Sequence, residues 1–402
     1  MAGVTGIGTT FNLPNYHGEL IALTPADTPL LSASGGLTGG GQVDGTTIEW
    51  QTYDLRDASS RPRLEGADAP TAEERVRANV TNRVQIFQEK VSTSYTKQAA
   101  TGQYRMSGAG DTPAAVGGVA PISEHTWQVT QALKQIARDV NWTFWNGVRV
   151  DPANNSTARA MAGLLSVCTS NAQVAAHALY SGASASTDTI TATHDLAVND
   201  KVVFTDVGAS TTIVPGRYYW VTSISTTVSF KVSATKGGAA ITVGTATVSF
   251  YGPKAANTIS TDLVNGLMQS VYDAGGITEQ STATLFVPSG QKLALSKAYA
   301  ASGTAANQLF GTRNVGGVAL DTIVTDFGTL NIAIDRALPA DALAVVSLEQ
   351  IRPVFLNVPG KGVLFEEELA KTGSADNTQI YGEIGLEYGN QAAHGVLRGL
   401  YA

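Results

Sequence analysis

The sequence predicts an α+β protein in which extended arms precede a compact body. Three observations carry this. Residues 122–147 (ISEHTWQVTQALKQIARDVNWTFWNG) place Trp127, Leu133, Ile136, Val140 and Phe144 at three- and four-residue steps, the period of one helical face. Residues 172–251 break into short β-like runs separated by turn signals. From residue 254 onward, helical and extended patterns alternate, as in an α+β body.

Composition narrows the function classes. With 402 residues the chain has room for two or three domains, and 43% hydrophobic against 15% charged residues marks it as globular. A formal net charge of −7 disfavours a tight nucleic-acid binder, although a local basic face stays open. No run approaches the roughly 20 apolar residues of a membrane span, and Met1 leads into polar sequence where a signal peptide would be apolar. The single cysteine, Cys168, lies in the apolar run LLSVC, which suits a buried thiol and assembly in a reducing cytoplasm.

Residues 1–45 read as an arm. Scattered apolar residues, Pro14, Pro25, Pro29 and a Gly-rich end cannot bury enough surface to offset an ordering cost of about 1–2 kcal/mol per residue. Leu23, Leu30 and Leu31 are its expected anchors on a neighbouring surface. Residues 46–95 read as a long hairpin. Its expected strands are 46–53 (TTIEWQTY, with Ile48 and Trp50 alternating) and 84–95 (VQIFQEKVSTSY). The intervening tip sets Arg56, Arg61, Arg63, Arg75 and Arg77 among Asp57, Glu65, Asp68, Glu73 and Glu74. Interleaved opposite charges suit a protein surface better than a polyanion. A solvated loop is the plain alternative, but a two-stranded ribbon is marginal alone and gains from docking.

The helix at 122–147 follows. Ser123 stands at the N-cap position behind Pro121, Glu124 faces the positive end of the helix dipole, and Asn146-Gly147 supplies the stop. At about 1.5 Å per residue it is a rod of roughly 35–40 Å.

The succession TPADTPLLSASGG, TTIEWQTYDL, EGAD, NVTNRVQIFQEKVSTSYTKQAA and then the long helix resembles the major capsid proteins of tailed double-stranded-DNA bacteriophages with the Hong Kong 97-like fold. The resemblance covers roughly residues 10–170 and 255–402, and its motifs are organisational. It implies an N-terminal arm (1–45), an extended loop (46–95), a peripheral domain built on a spine helix (96–171), and an axial domain that returns to the peripheral one (254–402). It implies no catalytic residue and no cofactor. The partners it implies are the chain itself, in pentamers and hexamers of an icosahedral shell, with portal, scaffolding and decoration proteins. It also implies non-specific contact with packaged DNA and no membrane. The virion is the implied location, with assembly in the host cytoplasm.

Residues 172–253 depart from that plan. Six expected strands (187–193, 201–205, 217–224, 229–233, 241–243 and 247–251) are punctuated at Asn199-Asp200, Pro215-Gly216 and Lys236-Gly237-Gly238, which indicates a small inserted β-sandwich or barrel. Tyr218, Tyr219 and Trp220 are expected mostly in its core. A domain whose ends lie close together is easily inserted into a host loop. Beyond it, 260–274 is an expected helix with Ile259, Leu263, Leu267 and Val271 in one stripe. Further expectations are a strand at 285–287, a helix from Pro288-Ser289 to Tyr299, a hairpin of 318–326 with 330–335 turned at Gly328, a buried strand at 342–346, and an extended stretch at 379–400.

Catalytic patterns are weak. His17, His125, His177, His194 and His394 have no metal-ligand spacing. Ser94–Lys97 and Ser289–Lys292 match S-x-x-K, and Lys371-Thr372-Gly373 matches K-T-G, but S-D-N is missing and such short motifs recur by accident. Glu366, Glu367 and Glu368 read as a solvated helix or loop face. The reading is therefore a structural protein, with intersubunit contacts expected at Leu23, Leu30, Leu31, Trp50, Arg56, Arg61, Arg63, Glu65, Asp68, Glu73, Arg75 and Arg77. Two alternatives stay open: an encapsulin-type compartment with an enzyme cargo, and a monomeric β-rich binding module or hydrolase.

Overall fold

A computed structural model describes residues 23–56, 58–71, 73–99, 124–174, 180–214, 218–225, 228–252, 258–277, 283–302, 322–325, 327–371 and 373–400. The first 22 residues of the expected arm, the expected N-cap Ser123 and the tip residue Asp57 lie outside them. The chain divides into two compact units: one of residues up to 27 with 88–136 and 366–380, the other of 28–87, 137–365 and 381–402.

The larger unit is built on a sheet of order β13-β14-β12-β15-β19-β5. Its strands are β5 (Ala172–Val174), β12 (Ala283–Val287), β13 (Thr322–Thr325), β14 (Gly328–Ile334), β15 (Leu343–Ser347) and β19 (Gly395–Arg398). Every residue of β12 and β15 is buried, as befits central strands covered on both faces. Helix α5 (Thr261–Asp273) starts where Ser260 accepts a hydrogen bond from the Leu263 amide, and it buries Val264, Leu267, Met268 and Val271. Helix α6 (Ser289–Ser302) adds Leu295 and Tyr299 to the same core. The 13-residue α5, the β13–β14 hairpin, β12, β15 and α6 thus fall where their periodicity placed them. Strand β5 corrects one boundary: residues 172–174 pair in parallel with β19, so they belong to this sheet and not to the insertion.

The insertion is a closed barrel of order β10-β7-β6-β11-β8-β9. Its strands are β6 (Tyr180–Ser186), β7 (Thr189–Thr191), β8 (Lys201–Asp206), β9 (Tyr218–Ser225), β10 (Ser229–Ser233) and β11 (Ala246–Tyr251). Closure leaves no open sheet edge. Alternate side chains turn inward: Ala183 and Ala185, Val202 and Phe204, Tyr219 and Val221, Phe230 and Val232, Val248 and Phe250. Phe250 is the centre of that core, 4.9 Å from the Tyr180 ring, 4.9 Å from Phe230 and 5.8 Å from Phe204. The first and last strands pair, Phe250 opposite Tyr180, so the barrel's two ends are adjacent. Two expectations fail here. Residues 241–243 form no strand, and YSGASAS at 180–186 does, its small residues fitting the crowded interior. Of the three aromatics, Tyr219 is buried, Trp220 is half-buried beneath Lys201 and Lys236, and the Tyr218 side chain lies outside the described set.

A second sheet in this unit joins β1 (Gly41–Val43), β16 (Arg352–Leu356) and the C-terminal half of β18 (Ala375–Glu387), with β1 parallel to β16 and β16 antiparallel to β18. Against it stands the hairpin of β2 (Thr47–Tyr53) and β3 (Arg77–Arg83), a two-stranded ribbon in unbroken register from Thr47↔Arg83 to Tyr53↔Arg77. The expected partner, residues 84–95, is instead β4 (Gln85–Ser94), which pairs with β18. Its stronger alternation reflects burial in a larger sheet. Ile48, Val84 and Val354 fill the hairpin's root. There Gly385 of β18 is needed for space: a Cβ would stand 2.4 Å from Ile48 Cδ1 and 3.0 Å from the Arg83 carbonyl.

The arm expectation is also corrected. Helix α1 (Pro29–Ser34), with Pro29 at its start and Gly35 at φ +123 behind it, buries Leu30 and Leu31 in the chain's own core. The Leu31 amide donates to Asn141 Oδ1 at 3.0 Å. Asn141 lies on α3 (Glu124–Asn146), whose bounds match the expected spine helix. Asn141 Nδ2 and Trp145 Nε1 both donate to the buried Asp335 carboxylate, at 3.2 and 2.8 Å, as does the Ala337 amide at 2.8 Å. Three donors keep that buried charge satisfied. Within the expected stripe Ile136, Val140 and Phe144 are buried, but Leu133 is exposed, as is Trp142.

The smaller unit holds the remainder of β4 and β18 with the C-terminal part of β17 (Leu364–Glu368) and α2 (Tyr95–Ala99). Glu366 to Glu368 are strand residues, not a helix or loop face. His125, on the first turn of α3, bridges the Thr93 and Thr378 hydroxyls at 3.0 and 2.8 Å. The short α4 (Leu164–Val167) returns to the larger unit and precedes the buried Cys168.

Candidate intersubunit surface

The hairpin is tied down at one end and open at the other. At its root, Trp50 donates from Nε1 to the Gly389 carbonyl at 2.9 Å and meets the Tyr388 ring edge-on at 4.7 Å. Arg83 reaches Asp151, which also holds Arg149 at 2.7 Å, and the two guanidiniums keep the Asp151 carboxyl below the usual carboxylate range. Beneath, Arg159 pairs with Glu383 and donates to the Val84 carbonyl, while Tyr381 donates to Glu383 at 2.6 Å. Burial and that carboxylate push the Tyr381 phenol up to about 12. These contacts anchor the ribbon's base, and among the described residues its two strands pair only with each other.

Beyond Tyr53 and Arg77 the tip has no regular strand among its described residues. It is organised by charge: Glu73 takes Arg61 at 2.7 Å, Arg75 at 3.1 Å and Arg56 at 3.4 Å. Hydrogen bonds from Arg61 and Arg75 hold the Glu73 carboxyl low. Arg63 donates to the Asp68 carbonyl and Arg77 to Gln51 Oε1. Such exposed pairs contribute little stability, about 0–1 kcal/mol each. Glu65 and Asp68 are exposed.

The structure thus brings Arg56, Arg61, Glu73 and Arg75 together, sets Arg63 beside Asp68, and places Arg77 on β3 rather than in the loop. Leu23 is 96% exposed, whereas Leu30 and Leu31 offer nothing to a neighbour, and Trp50 is occupied by its own chain. Sequence reasoning missed the tip's apolar side chains. Tyr53, Leu55, Leu64 and Val76 are all exposed, Leu64 at 86%. Their signal was present, since apolar residues inside an Arg/Glu-rich loop have no partner within it.

Ser94 ends β4, and its Oγ accepts the Lys97 amide at 3.3 Å, so the first S-x-x-K is a cap on α2. Lys371 pairs with Asp376 at 3.1 Å. Burial pushes the Cys168 thiol up to about 12. No metal-binding cluster occurs among the described residues, and no helix there is long and apolar enough to cross a membrane.

Ribbon, long helix, paired sheets and inserted barrel together define a capsid-type subunit of the Hong Kong 97-like fold. The capsid of cyanophage A-1(L) superposes with a TM-score of 0.54 at 10% identity, covering 99% of both chains. The capsid of an empty GTA particle gives 0.52 at 12%, covering 100% of both. The SrpI encapsulin of Synechococcus elongatus, at 0.47 and 8% over 97% of this chain and 92% of its own, is too distant to bear on function. No curated protein sequence matches. A family model, SU10 major capsid protein, matches residues 3–401. The chain belongs to the SU10 major capsid protein family, a family of structural proteins.

Proposed function

We propose that copies of this chain assemble into rings of five and six that tile an icosahedral phage head around double-stranded DNA. The observation that carries this is the ribbon: among the described residues β2 and β3 pair only with each other, and the tip beyond them exposes Leu55, Leu64 and Val76 beside the Glu73 ion pairs. A ribbon of this kind is marginal in isolation and is completed by a neighbour. Because one subunit would engage several others, individually modest contacts become strong collectively. Contact with DNA is non-specific, in keeping with the net charge of −7. On this reading the body around β12 and β15 is the axial domain, α3 is the spine of the peripheral domain, and the barrel stands out as a surface module. Assembly takes place in the host cytoplasm, with portal, scaffolding and decoration proteins as partners.

Electron microscopy of the purified product, with nucleic-acid content from the absorbance ratio, tests the proposal. Icosahedral particles support it. A monodisperse monomer refutes it, and particles carrying enzyme in place of DNA transfer it to a cargo compartment.

A further inference from the structure

A cavity of about 630 Å³ lies at the root of the ribbon. Thr52 and Val80 line it from the ribbon, and Val148, Val167 and Tyr388 from the body, so its walls are mostly apolar. Polar neighbours on its rim are already engaged. Ser166 donates to the Gly147 and Gly163 carbonyls, each at 2.8 Å. Gln391 Nε2 donates to Ser170 Oγ at 2.6 Å, and its Oε1 accepts the Thr169 amide at 3.2 Å. A hollow of this volume and lining is that of a small-molecule site.

One charged side chain, Arg149, lines the cavity, and it keeps 34% of its surface exposed. Three contacts fix its guanidinium. Nε donates to Asp151 at 2.7 Å, and Nη1 donates to the Thr81 carbonyl at 2.7 Å and to Thr81 Oγ1 at 2.9 Å. Among the described residues Nη2 donates to none, so one edge of the fork is unspent. The charge is unmatched as well. Asp151 is shared with Arg83, and one carboxylate against two guanidiniums leaves one positive charge over. Glu383, the other acid beneath the ribbon, is taken by Arg159. A neutral or cationic ligand would leave that charge standing, and a phosphate dianion would exceed it and set a strongly hydrated group against apolar walls. A carboxylate on a hydrocarbon body matches both features: the fork gives it a charge-assisted hydrogen bond, and the walls bury the rest.

We propose that this cavity binds a small apolar monocarboxylate, with its carboxylate on Arg149 Nη2 and its hydrocarbon body against Val80, Val148, Val167 and Tyr388. The site is complete within one chain, so it holds whatever the chain assembles into. Because Thr52 and Val80 belong to the ribbon and the remaining walls to the body, a bound molecule touches both and braces one against the other.

Isothermal titration calorimetry of full-length subunits with decanoate, decanol and decylamine tests the site. Decanoate should bind saturably, one molecule per chain, at least tenfold more tightly than decanol, and decylamine should not bind. Arg149→Gln should weaken decanoate at least tenfold and leave decanol unchanged, whereas Val167→Trp, which fills the hollow, should weaken both. A second measurement needs no variant. A diazirine analogue of decanoate, photolysed on the wild-type protein, should label residues 78–83 and 145–150 by mass spectrometry, and excess decanoate should suppress the labelling. Absence of saturable binding, equal affinity for decanoate and decanol, or labelling confined to other segments overturns the proposal.

Discussion

Asp341 is a buried carboxyl in the core of the larger unit, 1% exposed. Burial raises its pKa from 3.8 to about 7, against the opposing pull of Lys201, Arg398 and the nearby backbone. Between those two values the folded subunit holds a proton that the unfolded chain has released. Stability therefore falls as pH rises from about 4 to 7, by about 1.4 kcal/mol per unit, and levels off above 7. The whole span is about 4 kcal/mol, an upper figure because buried sites relax. Asp341→Asn removes the charge at nearly constant shape, so it should stabilise dissociated subunits by about 2–4 kcal/mol at pH 8 and by little at pH 4. Urea unfolding of both proteins across that range reads the difference directly. His394 acts in the opposite sense: burial lowers its pKa, so its contribution is present above pH 6.5 and is lost as pH falls. Subtracting the variant's profile from the wild type's cancels that term. Parallel profiles for the two proteins would refute the assignment.

Three more outcomes follow from the packing. Phe250→Ala empties the centre of the barrel and should cost about 3–5 kcal/mol, seen as a lowered thermal midpoint. Glu383→Gln leaves Arg159 without its anion and should cost about 3 kcal/mol by the same measurement, whereas a loss under 0.5 kcal/mol would show the pair to be solvated. Trp50→Ala removes both the bond to Gly389 and the Tyr388 contact, so it should lower particle yield while leaving the barrel's near-ultraviolet signal unchanged.

The elements legible in the sequence are those whose local signals agree with their burial. Helix α5 announces itself through the Ser260 cap and a spaced apolar stripe, and α3 through its period. The hairpin partner was misread because RANVTNR at 77–83 is exposed over its first three residues and carries one large apolar side chain, Val80, while QIFQEKVSTS next to it alternates. Strand β6 was illegible for the converse reason, since Ala and Ser suffice inside a narrow barrel. Strand β16 begins RPVFL, and its proline is tolerated because a strand's first residues need not donate. Leu30 and Leu31 looked like anchors for a neighbour because nothing local reveals Asn141, 110 residues away, as the acceptor that holds α1 down. The tip's exposed Leu64 was readable in principle, as an apolar residue stranded among charges.

The central claim is that the tip beyond the ribbon becomes ordered only when sister subunits meet. Amide hydrogen exchange across residues 47–83, compared between dissociated subunits and intact particles, measures this most directly. Exchange in residues 54–76 should be near the unprotected rate in subunits and at least 100-fold slower in particles. Equal protection in both would contradict the account.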